Sequence, residues 1–111
     1  MPDECVVVLS TLPVGGEASR IARTLVEERL AACVNLLPVM TSIYRWKDDV
    51  QTDPEHQVII KTTRDRVSTL STRLKDFHPY DVPELIVLPI VDGSDEYLNW
   101  IRGAVASKSE G

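Results

Sequence analysis

The side chains best suited to chemistry gather in one stretch, His78-Pro79-Tyr80-Asp81-Val82-Pro83-Glu84, which carries an imidazole, a phenol and two carboxyl groups. Pro79 and Pro83 fix their own φ and push His78 and Val82 toward extended backbone, so this loop holds its side chains in set positions. A neutral ring nitrogen of His78 is a ligand for a divalent metal. Cys33 offers a thiolate suited to copper or zinc, and Glu84 a hard oxygen. Those three residues are the candidate metal ligands. No HxH, HxxxH or CxxC spacing forces them together, so plainer roles stand beside the metal one. Cys33 is also read as a small buried hydrophobe, and His78 as a cap where a helix C-terminus favours imidazolium. His56, beside an acidic bulge, reads as a surface histidine.

Lys61 lies in Ile59-Ile60-Lys61-Thr62, a run expected to be largely buried, where an ammonium needs a partner. Glu84 is the expected partner. The pair is read either as a buried ion pair that sets register or as part of a ligand pocket. Tyr44, Trp46 and Tyr80 would line such a pocket or anchor an interface.

The elements that must position these groups follow from periodicity. Cys5–Thr11 reads as a buried strand, ended by Pro13 and Gly15-Gly16. Glu17–Ala32 is predicted helical, with Ala18, Ile21, Ala22, Leu25, Val26 and Leu30 on its apolar face. Cys33–Trp46 reads as a long strand interrupted by an edge, bulge or bend at Pro38. Lys47-Asp48-Asp49 reads as a hairpin turn. Thr52–Glu55 is expected to be a bulge or local loop, and His56–Thr63 strand. Thr63 is expected to cap a helix over 64–77, with Val67, Leu70, Leu74 and Phe77 buried. Leu85–Val91 reads as a core strand, either buried on both faces or central in a small sheet. Ser94 caps a last short helix with Tyr97, Leu98 and Ile101 inward, and the chain is expected to fray from Gly103. The order β-α-β-β-α-β plus a final helix predicts one α+β domain over residues 1–111. Its arrangement is ferredoxin-like: an antiparallel sheet with helices on one face.

Composition limits the function. The net charge of −5 argues against non-specific nucleic-acid binding, because no basic block is present to meet phosphates. The longest apolar run is too short to cross a bilayer. An acidic start with no signal-peptide pattern, and two cysteines without CxxC pairing, predict a reduced cytoplasmic protein.

Glu28-Arg29-Leu30-Ala31-Ala32-Cys33-Val34-Asn35, Thr41-Ser42-Ile43-Tyr44-Arg45-Trp46, Ile60-Lys61-Thr62 and the His78–Glu84 loop resemble the CutA family, the divalent-ion tolerance proteins. Tyr97–Ile101 is similar too, so the resemblance runs from about Val6 to Ile101. It implies a small cytoplasmic homotrimer of ferredoxin-like subunits, linked to tolerance of copper and other divalent metals. It brings no reaction with it. Asp48-Asp49 stand where the family often has a turn glycine. Phe77-His78 stand where some members have His-His, which removes one potential ligand.

A trimeric nucleotide or metabolite sensor of PII type is the alternative, but the long basic phosphate-binding loop it needs is absent. An acylphosphatase-like hydrolase would need an arginine beside a phosphate cradle after the first strand. Pro13-Val14-Gly15-Gly16 has none, so no enzyme is predicted. Assembly has a physical argument of its own. A strand from Cys33 through Trp46 extends about 45 Å, far beyond the ~13 Å radius of gyration of a domain this size. Its tip, with Tyr44 and Trp46, is expected to pack on neighbouring copies.

Overall fold

The computed structural model describes residues 1–78 and 81–107. Along the chain run β1 (Cys5–Pro13), α1 (Glu17–Glu27), β2 (Cys33–Trp46), β3 (Asp49–Thr63), a 3₁₀ turn (Arg64–Arg66), α2 (Val67–Phe77), β4 (Ile86–Pro89) and α3 (Asp95–Val105). The strands form one antiparallel sheet in the order β2-β3-β1-β4, the ferredoxin-like arrangement.

Strand alternation divides the sheet into two faces. Val6, Val8 and Leu12 of β1 and Val58 and Ile60 of β3 point one way. There they meet Ala18, Ile21 and Leu25 of α1 and Leu70 and Leu74 of α2 in the main core. The alternate residues point the other way. The sequence placed all helices on one face, but α3 lies across one end of the opposite face. Its Ile101 and Val105 pack on Cys5 and Ala32 in a second, smaller core. Helix α3 runs through Gly103 to Val105, which is buried, so the expected fraying falls inside an ordered last turn. Ser94 caps it as predicted, its Oγ accepting from the Tyr97 N–H at 3.2 Å. Tyr97 is half-exposed and packs beside Trp100 rather than inward.

Several boundaries differ from the sequence reading for local reasons. Helix α1 stops at Glu27, not Ala32, because Arg29 takes φ 60°. The N–H of Arg29 reaches Val26 O at 3.0 Å and that of Leu30 reaches Leu25 O at 3.0 Å, a Schellman close without its usual glycine. Thr63 gives α2 no side-chain cap; it donates to Asp65 within the 3₁₀ turn that precedes the helix. Strand β3 is continuous through Pro54, so the bulge expected over Thr52–Glu55 is not there. It lies in β2, between Leu36 and Val39, at Pro38. Strand β4 spans four residues and is an edge strand pairing with β1 alone, neither buried on both faces nor central. Ile86 and Leu88 remain 46% and 44% exposed.

Beyond the bulge the β2–β3 hairpin continues as an arm, and the chain measures 47 × 27 × 23 Å. Its tip turns on Lys47 and Asp48, at φ 51° and 70°. Positive φ at both central residues is the type I′ geometry that suits the twist of a hairpin and favours Asn-Gly or Asp-Gly. Asp48→Gly should therefore raise stability, by up to about 1 kcal/mol of relieved left-handed strain, readable as a higher denaturation midpoint. A lower midpoint would contradict this turn geometry.

Two ion pairs tie the helices down. Arg73 donates from Nε and Nη2 to both oxygens of Glu28 at 2.8 Å, joining α2 to the end of α1, and Arg64 Nε meets Glu4 at 2.7 Å. The hydrogen bonds from Arg73 and Arg64 hold the Glu28 and Glu4 carboxyls below their ordinary range. A carboxyl lowered on folding stabilises above its unfolded pKa and loses that contribution as pH falls through its folded value. The melting difference between wild type and Glu28→Gln should thus be largest near neutrality and close as the solution is acidified below the carboxylate range. A difference that persists at the acid end would show that it does not come from the charge.

Candidate functional site

A cleft of about 560 Å³ opens on the sheet face that α1 and α2 leave uncovered, at the end nearer the hairpin arm. One wall is the outer half of β2, whose Ser42, Tyr44 and Trp46 project on that face. The opposite wall is the loop Asp81-Val82-Pro83-Glu84. Thr11 of β1 and Glu55 of β3 lie between them. The loop is fastened to the sheet at Glu84, whose backbone O accepts from Ser10 Oγ at 2.8 Å. Gln57 Nε2 donates both to Ser10 O at 2.7 Å and to Glu84 Oε2 at 3.0 Å. On the other wall the Tyr44 hydroxyl donates to Asp53. Glu55 is only 8% exposed, yet its carboxylate has no hydrogen bond or ion pair among the described residues.

His78 closes α2, its N–H donating to Leu74 O at 3.0 Å. Its buried ring turns into the sheet, where Nε2 lies 2.6 Å from Thr11 O. A carbonyl only accepts, so Nε2 carries the hydrogen there, and a metal would have to be met by Nδ1. His56 is not a plain surface residue: it is half-buried, and its Nδ1 sits 2.7 Å from Leu37 O in the β2 bulge.

Cys33 sits elsewhere. It starts β2 opposite Lys61, whereas Thr11, which holds the His78 ring, pairs with Gln57 four positions along β3. Four strand residues span about 13 Å, and β2 is two strands from β1. Glu84 and His78 therefore lie near the same end of the sheet, and Cys33 does not join them within one chain. Its half-buried thiol is 3.8 Å from Asn35 Oδ1. Among the described residues no three His, Cys, Asp or Glu side chains come together to hold an ion. The three candidate ligands thus do not form one coordination sphere in a single chain.

The expected Lys61–Glu84 pair is not formed. Lys61 Nζ lies 6.0 Å from the Tyr97 ring centroid, and Lys61 makes no ion pair with the described residues. The β1–β3 register puts Lys61 at the α3 end while Glu84 docks on Gln57. Lys61 is only half-buried, so its ammonium needs no carboxylate to escape an apolar interior. Of the predicted pocket residues, Tyr44 and Trp46 line the cleft, Lys61 does not, and Tyr80 lies outside the described residues. Glu55 was missed, and Asp81 was singled out only as a carboxyl of the loop, without a place in the pocket. Reading Pro54 as a strand breaker hid Glu55; continuing the alternation back from Lys61 and Ile59 puts it on the cleft face.

The two thiols differ. Cys5 is buried, its Sγ 3.6 Å from Leu98 O, and burial pushes its thiol pKa up. In native protein a thiol reagent should modify Cys33 first and Cys5 only on unfolding. Loss of the early phase in Cys33→Ser checks the assignment, and an early phase that survives would contradict it.

A family model described as CutA1 divalent ion tolerance protein matches residues 6–104. The divalent-cation tolerance protein CutA of Thermus thermophilus is 52% identical over 96 residues, 86% of this chain and 93% of that protein. The chloroplastic protein CutA of Arabidopsis thaliana is 42% identical over 99 residues, 89% of this chain; the match spans 54% of the length of that longer relative. Among solved structures, CutA of Xylella fastidiosa superposes with a TM-score of 0.88 at 42% identity, covering 93% of this chain and 99% of the other. The Thermus thermophilus structure superposes with a TM-score of 0.87 at 50% identity, covering 90% and 97%.

Proposed function

Because this chain belongs to the CutA1 divalent ion tolerance protein family, and is thus a divalent-cation tolerance protein, we propose that it acts as a cytoplasmic homotrimer that binds copper or another divalent ion. The role is one of binding rather than catalysis. The observation that carries the metal reading is Cys33, a free, half-buried thiol on the sheet face opposite α1 and α2, toward the α3 end. His78 and Glu84 are the further donors. Because the three stand apart within one chain, a shared site needs donors from two chains. The free cysteines support a reducing compartment. No helix among the described residues is long and apolar enough to cross a membrane.

Assembly is supported by surface that a single chain leaves uncovered: Ile86 and Leu88 of the β4 edge, and Tyr44 and Trp46 of the arm. Light scattering at low micromolar protein should give the mass of three chains, and Ile86→Lys with Leu88→Lys should lower it. A wild-type monomer would sink the assembly reading. Copper titration under reducing conditions should show binding that weakens with acid, because protons compete for thiolate and imidazole. Cys33→Ser and His78→Ala should each weaken it, and unchanged binding in the double variant rules this site out.

A second reading, a trimeric small-molecule sensor, is favoured by the cleft itself. A nucleotide suits it poorly, because its lining carries carboxylates and no lysine or arginine.

A further inference from the structure

Leu98 crowds the turn between β4 and α3. A Cβ placed on Gly93 would stand 3.3 Å from the Leu98 side chain, and Leu98 packs on the small core of Cys5, Ala32, Ile101 and Val105. The close seating of α3 therefore favours glycine at 93. Asp92 precedes it, and theirs is the one Asp-Gly pair in the sequence, which has no Asn-Gly. Both residues are exposed and lie outside any helix or strand. The Gly93 N–H donates to Asp92 Oδ1 at 2.8 Å. The amide nitrogen thus lies against the carboxyl of the residue before it. Its N–H bond points at that carboxyl, so the electron pair left by the proton points there too. Groups held in such contact have already lost much of the freedom that ring closure costs. With no side chain, Gly93 leaves the nitrogen unshielded.

We propose that Asp92 is a modification site, at which the chain converts to isoaspartate. The Gly93 nitrogen bonds to Asp92 Cγ, and the hydroxyl of the protonated carboxyl leaves with the amide proton as water. The product is a five-membered succinimide. Water then adds at either of its carbonyls. Breaking the Cγ–N bond restores aspartate. Breaking the bond from the Asp92 carbonyl carbon to nitrogen leaves the main chain running through Cβ and Cγ. Water lost is water regained, and no oxidant, metal or partner takes part. The arm and the β4 edge, where copies of the chain are proposed to meet, supply none of the reacting atoms. The product carries one more main-chain carbon directly ahead of Ser94, whose Oγ caps α3. The lengthened turn disturbs that cap and the Leu98 seat, and α3 loosens over Cys5.

The test is ageing of the assembled full-length protein in mildly acidic buffer at physiological temperature. Isoaspartate is then located by peptide mapping and by labelling with an isoaspartate methyltransferase. It should accumulate at position 92 ahead of every other aspartate, and no slower than in a free peptide carrying the Val91–Ser94 sequence. Gly93→Ala should slow it about tenfold or more. Asp92→Glu, which keeps the charge but would need a six-membered ring, should abolish it. Asp92→Asn should reach the same succinimide by loss of ammonia and give the same ratio of isoaspartate to aspartate. The fraction that carries isoaspartate should melt below fresh protein. Label appearing first at another aspartate, or none at 92, overturns the site. Faster conversion in the free peptide overturns the role of the turn geometry, and equal melting of aged and fresh protein overturns the effect on α3.

Discussion

The structure depends on one register, that of β1 against β3. Nine consecutive residues pair from Cys5 opposite Thr63 to Pro13 opposite Glu55. This pairing decides what each face of the sheet carries. Val6, Val8, Val58 and Ile60 go to the helices, while Thr11, Gln57 and Glu55 go to the open side. A slip of one residue would turn Val58 and Ile60 away from the helices and bring Lys61, Gln57 and Glu55 toward them. The chemistry therefore cannot be separated from the packing. The pairing that closes the main core also places Gln57 where it can hold Glu84, and with it the loop that walls the cleft.

The open face carries two regions of different character. At the α3 end it is capped by a small apolar core with a buried thiol, and Lys61 lies over an aromatic ring. At the arm end it is acidic and concave. The histidine and glutamate that read from sequence as metal ligands are first of all structural groups here. The His78 ring ties the end of α2 to a β1 carbonyl, and Glu84 ties its loop to β3. A group that holds the fold by one atom can still serve a ligand by another, but its freedom to move toward that ligand is reduced.

Element types and order were legible in the sequence because their signals are local: apolar periodicity, Pro13 with its glycines, and Ser94 before Asp95 and Glu96. The end of α1 was not, because Arg29 occupies a left-handed position where glycine is the usual marker. β4 misled because an all-apolar run reads as buried on both sides, while within one chain its outer residues have no cover. The cleft was half legible. Tyr44, Trp46 and Glu84 stood out by type, but Glu55 was hidden behind Pro54, and its burial follows from tertiary packing that no local pattern reports. Lys61 was paired with the wrong end of the sheet, because strand composition carries no information about register between strands.

The bulge at Pro38 has a consequence for how this chain can vary. Before it, odd-numbered residues of β2, Cys33 and Asn35, share a face with Lys61 and Ile59; after it, even-numbered residues, Met40 to Trp46, take over that face. The extra residue is a change of parity written into the strand. Counted straight through, Tyr44 and Trp46 would fall on the side of Val34 and Leu36, away from the cleft. Loss or gain of a single residue in this half of the arm would therefore exchange its two sides. Changes in steps of two would lengthen or shorten the arm and leave its aromatic side in place. The outer arm can thus vary in length across related chains only in pairs, unless a compensating bulge arises beside the first.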